Sequence, residues 1–199
     1  MQEDFWIWDL MGQIKWGKEV EHNMIREAAE FAERAHEGVY RKGTKIPYIT
    51  HPMETAAIVT AFTNEPEMIA AALLHDVIED AGVTKEELEE KFGPRVAFLV
   101  ESESEDKSRS WMERKGTTVE HLKSATRDEK ILALADKLSN IRSTVRDYLV
   151  LGDEVWQRFN QKDKEMQGWY YKGVAEALKE FKGHIYYEEY LMLCEKVFG

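Results

Sequence analysis

Histidine and aspartate side chains interrupt three separate apolar segments of the sequence. His51 begins "HPMETAAIV", His75 and Asp76 end "IAAALLHD", and Asp136 ends "KILALAD". Ionisable groups among Ala and Leu are costly to bury unless a partner compensates their charge. A bound cation would do so, and mixed imidazole and carboxylate donors favour a first-row divalent ion such as Mn, Fe or Zn over Ca. We therefore predict a metal site from His51, His75, Asp76 and Asp136.

Further polar residues follow these groups at helical spacing. Glu79 and Asp80 each lie four residues after a predicted ligand, and Asn140 lies four residues after Asp136. Residues at this spacing share one face of an α-helix, so we expect all three near the metal. The ordinary alternative is that each polar residue pairs locally, as Asp136 would with Arg142.

A short basic segment, "RKGTKIPYITHP" (Arg41–Pro52), lies within a chain of net charge −11. The acidic balance argues against DNA or RNA as the main partner, because a phosphate backbone requires a broad basic surface. A local basic segment instead suits a small polyanion. We expect this segment to receive a small polyanion rather than a duplex.

The elements that must position these residues are helices. Ala, Leu, Glu and Lys are abundant and apolar positions recur at helical spacing, which indicates a single all-α domain over residues 1–199, a bundle of about ten helices. A Thr84/Glu87 capping box marks one helix start. We predict helices over 19–38, 51–62, 66–82, 85–93, 128–149, 162–181 and 185–198, an apolar segment from 95, and a loop within 102–110.

The beginning of the sequence is rich in aromatic residues. We predict a helix over about 4–17 that packs on the domain; the alternative is a homo-oligomer contact or a lid, because exposed aromatic patches mark partners. No secretory signal is visible, and the longest apolar run, "MIAAALL", is far short of the ~20 residues of a membrane helix. Cys194 is the one cysteine, so we expect no intramolecular disulfide and a cytoplasmic protein that binds no membrane.

The order His51, "HD" at 75–76 and Asp136 resembles the HD phosphohydrolase superfamily. The segments "RKGTKIPYITHP", "AALLHDVIED", "FGPRVAFLV", "ERK" and "LADKLSNIRS" are similar to the hydrolase domain of the RelA/SpoT alarmone enzymes of the stringent response. The similarity covers about residues 28–180. It is strongest to the small stand-alone hydrolases of the metazoan SpoT homologue type.

This resemblance implies a metal-dependent enzyme that hydrolyses the 3′-pyrophosphate of guanosine tetraphosphate or pentaphosphate, (p)ppGpp. It implies one divalent ion, usually Mn²⁺, on the four predicted ligands, with Glu79 and Asp80 orienting and activating the attacking water. Arg41 and Lys42 match residues that contact the guanine base. The other implied substrate contacts are Lys45, Tyr48, Arg114, Lys115 and Asn140.

Two features depart from the family pattern. Gly43 and Thr44 follow "RK" where Ser-Gly is usual, so the hydroxyl is displaced by one position. The acidic run 101–106 stands where many members have a Val-Thr-Asp/Lys segment. We expect such a run to be a solvated surface. If it lined the substrate-binding pocket instead, it would repel a phosphorylated ligand.

Two other functions stay open from the sequence. One keeps the metal site but removes a single phosphate from another nucleotide, such as NADPH or a deoxynucleotide. The other is a nucleotide sensor without turnover. The presence of Arg41, Lys42, Glu79 and Asp80 favours pyrophosphohydrolase activity, because a generic HD phosphatase needs only the metal ligands.

Overall fold

The computed structural model describes residues 23–199, which form helices joined by short loops. These described residues contain no β-strand, only an isolated antiparallel bridge between Tyr40 and Pro47, and they confirm the all-α prediction. Two 3₁₀ helices, Gly152–Arg158 and Lys179–Phe181, complete the chain. The α-helices are α1 (23–35), α2 (Thr50–Val59), α3 (Pro66–Leu74), α4 (Val77–Ala81), α5 (Lys85–Phe92), α6 (Pro94–Glu103), α7 (Trp111–Ser124), α8 (Arg127–Leu151), α9 (Lys164–Ala177) and α10 (Ile185–Phe198).

Capping boxes begin several of the helices. The predicted one is confirmed: Thr84 Oγ1 accepts a hydrogen bond from the Glu87 N–H at the start of α5. A second box, Ser110 with Glu113, starts α7, for which the sequence analysis assigned no helix. Helix α7 has few apolar residues and buries little, with Leu122 as its fully buried residue, so the sequence offered no apolar stripe long enough to predict it.

The prediction of one helix over 66–82 is wrong at its centre. Helix α3 ends at Leu74 and α4 begins at Val77, with Asp76 at φ −97° and ψ −4° between them. The His75 ring donates from Nδ1 to the Ala72 carbonyl oxygen at 2.8 Å. In a continuous helix the Ala72 carbonyl would accept a hydrogen bond from the Asp76 N–H. The His75 ring therefore competes with the helix backbone for this carbonyl oxygen.

Helix α8 is the central element and packs against α2, α3, α6 and α10. Its buried side includes Leu134, Leu138 and Ile141, each with no exposed surface. Burying a side chain of this size contributes about 1.5–3 kcal/mol. This packing holds the start of α2, the α3–α4 junction and the middle of α8 together, and these three places carry the predicted metal ligands.

Some sequence predictions fall elsewhere. The aromatic helix over about 4–17, with its proposed contact or lid role, lies outside the described residues. Within residues 23–199, no helix is long and apolar enough to cross a membrane. Cys194 is a buried free thiol, as expected for an apolar position.

Candidate metal centre and adjoining cavity

The four predicted ligands meet at one point. Donor atoms of His51, His75 and Asp136 all lie within 4.8 Å of one another, and Nε2 of His51 is 3.1 Å from both Nε2 of His75 and Oδ1 of Asp136. Asp76 joins them through Oδ2, 3.0 Å from His75 Nε2 and 3.5 Å from His51 Nε2. Ligands roughly 2.0–2.2 Å from a metal are about 3.0–3.5 Å apart. The spacing therefore fits one first-row divalent ion.

The charges of this cluster favour positive charge at its centre. Although burial disfavours the ionised form, Lys137 and the two imidazoles hold the pKa of Asp136 well below its usual range. His75 and His51 likewise lower the pKa of Asp76 against the effect of burial. Burial alone would lower the pKa of His75, but Asp76 and Asp136 raise it well above its ordinary value. Two carboxylates thus remain ionised and attract positive charge between the rings.

The rings are oriented so that both Nε2 atoms face this point. On their opposite sides, Nδ1 of His75 bonds to the Ala72 carbonyl and Nδ1 of His51 lies 2.8 Å from Ser139 Oγ. The two Nε2 atoms lie 3.1 Å apart, a distance that is stable when a proton or a metal ion lies between them. The residues present therefore fit a metal ion.

Neighbouring polar groups hold the two carboxylates. The Tyr48 hydroxyl donates to Asp76 Oδ2 at 2.7 Å, and Asn140 Nδ2 donates to Asp136 Oδ1 at 2.6 Å. The side-chain amide oxygen Oδ1 of Asn140 accepts from Arg41 Nη2 at 2.8 Å. Asn140 therefore links the basic segment directly to the predicted metal ligand Asp136, a connection that its spacing from Asp136 did not reveal.

A cavity of about 660 Å³ opens beside the cluster. Eight Lys or Arg residues and seven Asp or Glu residues line it, whereas the whole chain has 27 basic and 38 acidic residues. A divalent ion would add two further positive charges. The lining is therefore suited to a polyanion despite the acidic chain. The basic residues of the lining are Arg41, Lys42, Lys107, Arg114, Lys115, Lys137, Arg146 and Arg158.

The basic segment forms one wall of this cavity. The guanidinium of Arg41 lies 5.5 Å from the centre of the Tyr48 ring, and Lys42 Nζ lies 5.9 Å from the centre of Phe159. These contacts leave flat aromatic and guanidinium surfaces beside the metal cluster. Lys45, a predicted substrate contact, is exposed and does not line the cavity.

The departure at residues 43 and 44 has a structural reason. Gly43 has φ +70°, and a Cβ there would lie within 2.8 Å of Nε, Cδ and Cζ of Arg158. Thr44 Oγ1 donates to the Arg41 carbonyl at 2.9 Å and accepts from the Ile46 N–H at 3.1 Å. Glycine thus admits the Arg158 side chain, and the threonine hydroxyl closes the turn.

The acids expected to act on water lie at the edge of the cavity. Lys107 Nζ is 3.0 Å from Asp80 Oδ1 and 3.6 Å from Glu79 Oε1. Burial and the negative charges of Asp76 and Glu105 raise the pKa of Glu79 above its ordinary value. A carboxylate with a raised pKa is a better proton acceptor, so Glu79 has the properties of a general base.

The acidic run 101–106 divides between surface and cavity. Glu101 pairs with Lys85 at 2.6 Å on the surface, and Asp106 is exposed. Glu103 and Glu105 line the cavity. The expectation of a wholly solvated run is therefore wrong for these two residues.

Both inward-facing acids contact cations. Glu105 lies 2.9 Å from Arg114 and 2.8 Å from Lys115, two predicted substrate contacts that also line the cavity. Glu103 lies 3.7 Å from Lys137, and burial raises its pKa to about 7. Lys137 also contacts Asp136. The acids thus hold cations in the wall of the cavity.

Part of the cavity lining was not predicted from the sequence. Ser143 and Asp147 extend the side of α8 that carries Asp136 and Asn140, at intervals of three and four residues. That polar stripe was a signal in the sequence. The segment 158–161 gave no such signal, because the 3₁₀ helix and loop that bring it to the cavity have no periodicity to read.

The aromatic residues at 169–171 separate into two groups. Tyr170 and Tyr171 are buried and also line the cavity, so they pack in the core and face the site together. Trp169 is 42% exposed and is absent from the lining. Trp169 instead lies near Trp111, with ring centres 6.4 Å apart.

Fold and site together define a helical phosphohydrolase domain, and the family model for the HD domain matches residues 28–162. The chain belongs to the HD-domain family. It is 36% identical over 163 residues to the guanosine-3′,5′-bis(diphosphate) 3′-pyrophosphohydrolase MESH1 of Xenopus tropicalis, which covers 80% of this chain and 86% of that protein. The Homo sapiens MESH1 is 35% identical over 162 residues, covering 80% and 85%.

A solved structure shares the architecture. It is described as a metazoan ortholog of SpoT that hydrolyses ppGpp and plays a role in starvation responses. It superimposes with a TM-score of 0.72 at 28% identity, over 87% of this chain and 94% of that one. The resemblance seen in the sequence motifs is therefore confirmed over most of the chain.

Proposed function

We propose that this protein is a metal-dependent hydrolase that removes the 3′-pyrophosphate of guanosine tetraphosphate or pentaphosphate. The observation that carries the proposal is a cluster of possible ligands for a divalent metal beside a cavity whose lining includes eight basic residues, in a chain whose relatives are named guanosine-3′,5′-bis(diphosphate) 3′-pyrophosphohydrolase. Water attacks the phosphorus bonded to the 3′ oxygen. The bond from that phosphorus to the 3′ oxygen breaks, pyrophosphate leaves on one side, and the 3′ oxygen takes a proton.

His51, His75, Asp76 and Asp136 hold the metal, for which we propose Mn²⁺. When bound, such an ion polarises a phosphoryl oxygen and makes nearby water more acidic. Glu79 accepts the proton of the attacking water, because its raised pKa suits a base and it lies at the cavity edge.

The remaining residues position the reactants. Asp80, held by Lys107, orients the water through hydrogen bonds. Asn140 keeps Asp136 in place and presents Arg41 to the substrate through its own hydrogen bonds.

The substrate would bind along the basic wall. Arg41 and Lys42 contact the guanine base, because their cations lie beside aromatic rings where a flat heterocycle can stack. Tyr48 supports this surface. Arg114 and Lys115, which also line the cavity, neutralise phosphate charge, while exposed Lys45 acts on the approach of the polyanion. The buried free thiol of Cys194 is compatible with the reducing cytoplasm, where we propose that the enzyme acts.

Product analysis of the Mn²⁺-loaded protein tests this function. The protein is incubated separately with ppGpp and with NADPH, and the products are separated by anion-exchange chromatography. We expect pyrophosphate from ppGpp, lost in Asp136→Ala and Glu79→Gln. Glu101→Gln is the matched control, because this acid of the neighbouring run pairs with Lys85 away from the cavity.

Two results would contradict the proposal. Orthophosphate from NADPH with intact ppGpp would indicate an HD phosphatase that removes a single phosphate. Tight ppGpp binding without any product would indicate a sensor.

A further inference from the structure

A chain of hydrogen bonds leads from the metal cluster to the surface between α2, α8 and α10. Nδ1 of His51 lies 2.8 Å from Ser139 Oγ, and that hydroxyl donates to Glu54 Oε2 at 2.8 Å. The other oxygen of Glu54 accepts from Arg142 Nη1 at 2.9 Å. Ser139 is 1% exposed, so water does not replace these contacts.

The number of hydrogens available in this series of hydrogen bonds sets the direction of every bond. Both oxygens of Glu54 act as acceptors: Oε1 accepts from the guanidinium of Arg142, which can only donate, and Oε2 accepts from the hydroxyl of Ser139. Ser139 has a single hydroxyl proton and gives it to Glu54. Towards His51 the serine oxygen can therefore only accept, and Nδ1 of His51 must carry a hydrogen.

This proton assignment decides which nitrogen can bind a metal. A neutral imidazole with its hydrogen on Nδ1 has a free electron pair on Nε2, and Nε2 of His51 is the atom that faces Asp136 and His75. His75 reaches the same tautomer through the backbone carbonyl of Ala72. His51 is therefore the histidine ligand whose tautomer depends on side chains.

We propose that Ser139 and Glu54 are positioning residues that hold His51 in its metal-binding tautomer and orientation, an inference that rests on the proposed metal-dependent function. Metal-binding histidines usually donate their second N–H directly to a carboxylate or carbonyl, and removing that partner weakens metal binding roughly 10–100-fold. Here a buried hydroxyl stands between the ring and the carboxylate. The carboxylate thereby acts on the metal site from the interface of α2 and α8.

Arg142 supplies a matched control for this proposal. Its guanidinium bonds to Glu54 and also to both carboxylate oxygens of Glu189, at 2.7 and 2.6 Å. Glu189 lies on α10 and takes no part in the series of hydrogen bonds that ends at His51. Losing Glu189 removes a partner of Arg142 and an ion pair between helices, but leaves the contact of Ser139 with Glu54 intact.

The test measures Mn²⁺ binding to the chelator-treated protein by isothermal titration calorimetry, without nucleotide. Ser139→Ala and Glu54→Ala should each weaken Mn²⁺ binding by roughly 10–100-fold. Ser139→Thr, which keeps the hydroxyl, should restore binding to within a few-fold, and Glu189→Ala should bind as the unchanged protein does. The double variant Ser139→Ala/Glu54→Ala should be no weaker than Ser139→Ala, because Glu54 acts through the serine.

A second readout does not depend on any variant folding. The ¹⁵N chemical shifts of His51 in the unchanged, metal-free protein should show hydrogen on Nδ1. Hydrogen on Nε2 alone, equal Mn²⁺ affinity in Ser139→Ala, or equal losses in Glu54→Ala and Glu189→Ala would overturn the proposal. If ppGpp is not cleaved but Ser139→Ala still weakens Mn²⁺ binding, the positioning role stands and the proposed substrate falls.

Discussion

Replacing Gly43 with alanine tests whether the basic turn is shaped to admit Arg158 into the cavity. The backbone at Gly43 has φ +70°, a left-handed conformation that costs an L-residue with a side chain about 1–2 kcal/mol. A Cβ would also lie within 2.8 Å of Nε, Cδ and Cζ of Arg158, so that side chain must move. The substitution therefore combines a backbone cost with a displaced cation.

Displacing the Arg158 side chain would also break its ion pair with Asp147. Its Nη1 lies 2.7 Å from Asp147 Oδ2, and both side chains are partly exposed. An ion pair of this kind contributes up to about 1 kcal/mol, so Gly43→Ala should lower the free energy of unfolding by about 1–3 kcal/mol in total, more than its control by up to about 1 kcal/mol. Gly38→Ala is the matched control, because Gly38 has φ +74° and nothing within 4 Å of its Cβ. It should lose only the backbone cost of about 1–2 kcal/mol.

Urea denaturation and steady-state kinetics of the Mn²⁺-loaded enzyme separate these effects. We expect the KM for ppGpp to rise in Gly43→Ala, because Arg158 lines the cavity, and to stay unchanged in Gly38→Ala. In an Arg158→Ala background the extra destabilisation by Gly43→Ala should vanish, since the Cβ then has space. Equal losses in the two glycine variants, with an unchanged KM in both, would refute the reasoning.

Further predictions concern the acids and the metal. Glu79 must be ionised to accept a proton, so kcat/KM should fall as pH drops through its raised pKa. Lys107→Met removes a positive charge that lowers this pKa, so the fall in kcat/KM at acid pH should begin at a higher pH than in the unchanged protein. A shift to lower pH would contradict the assignment of Glu79 as the base. Removing the metal with a chelator should lower the Tm, and Mn²⁺ at 100 times its Kd should raise the free energy of unfolding by about 2.7 kcal/mol. An unchanged Tm in differential scanning calorimetry would argue against a metal in this cluster. Tyr48→Phe removes the hydrogen bond to Asp76 and should weaken Mn²⁺ binding roughly 10–100-fold by titration calorimetry, whereas full affinity would show that the bond is dispensable.

The metal cluster was predictable because of a conflict within the sequence. His75 and Asp136 stand among Ala and Leu residues that must be buried, and burial of such groups requires compensation. The detailed geometry was not predictable from helical spacing. The α3–α4 break arises because the His75 ring takes the Ala72 carbonyl, a side-chain contact that periodicity does not describe.

The missed parts of the site have physical reasons of their own. Ser139 and Glu54 are 85 residues apart in sequence, and only the packing of α2 on α8 brings them to His51. Local patterns carry no information about such a pair. The polar residues from Asp136 to Asp147 on α8 differ in this respect, because their spacing of three and four residues predicts that they share one side of a helix.

The charge distribution explains how an acidic chain can take a polyanion. At physiological ionic strength, exposed charges are screened over about 8 Å, so a bound nucleotide responds mainly to the groups that line its cavity. Among these, Glu105 is paired with Arg114 and Lys115, and Glu103 has a pKa of about 7, which leaves it partly neutral near neutral pH. The inward-facing acids therefore cost the substrate little repulsion and fix cations in the cavity wall. Within residues 23–199, most of the other acidic residues do not line the cavity, so solvent ions screen their charge from the bound phosphates.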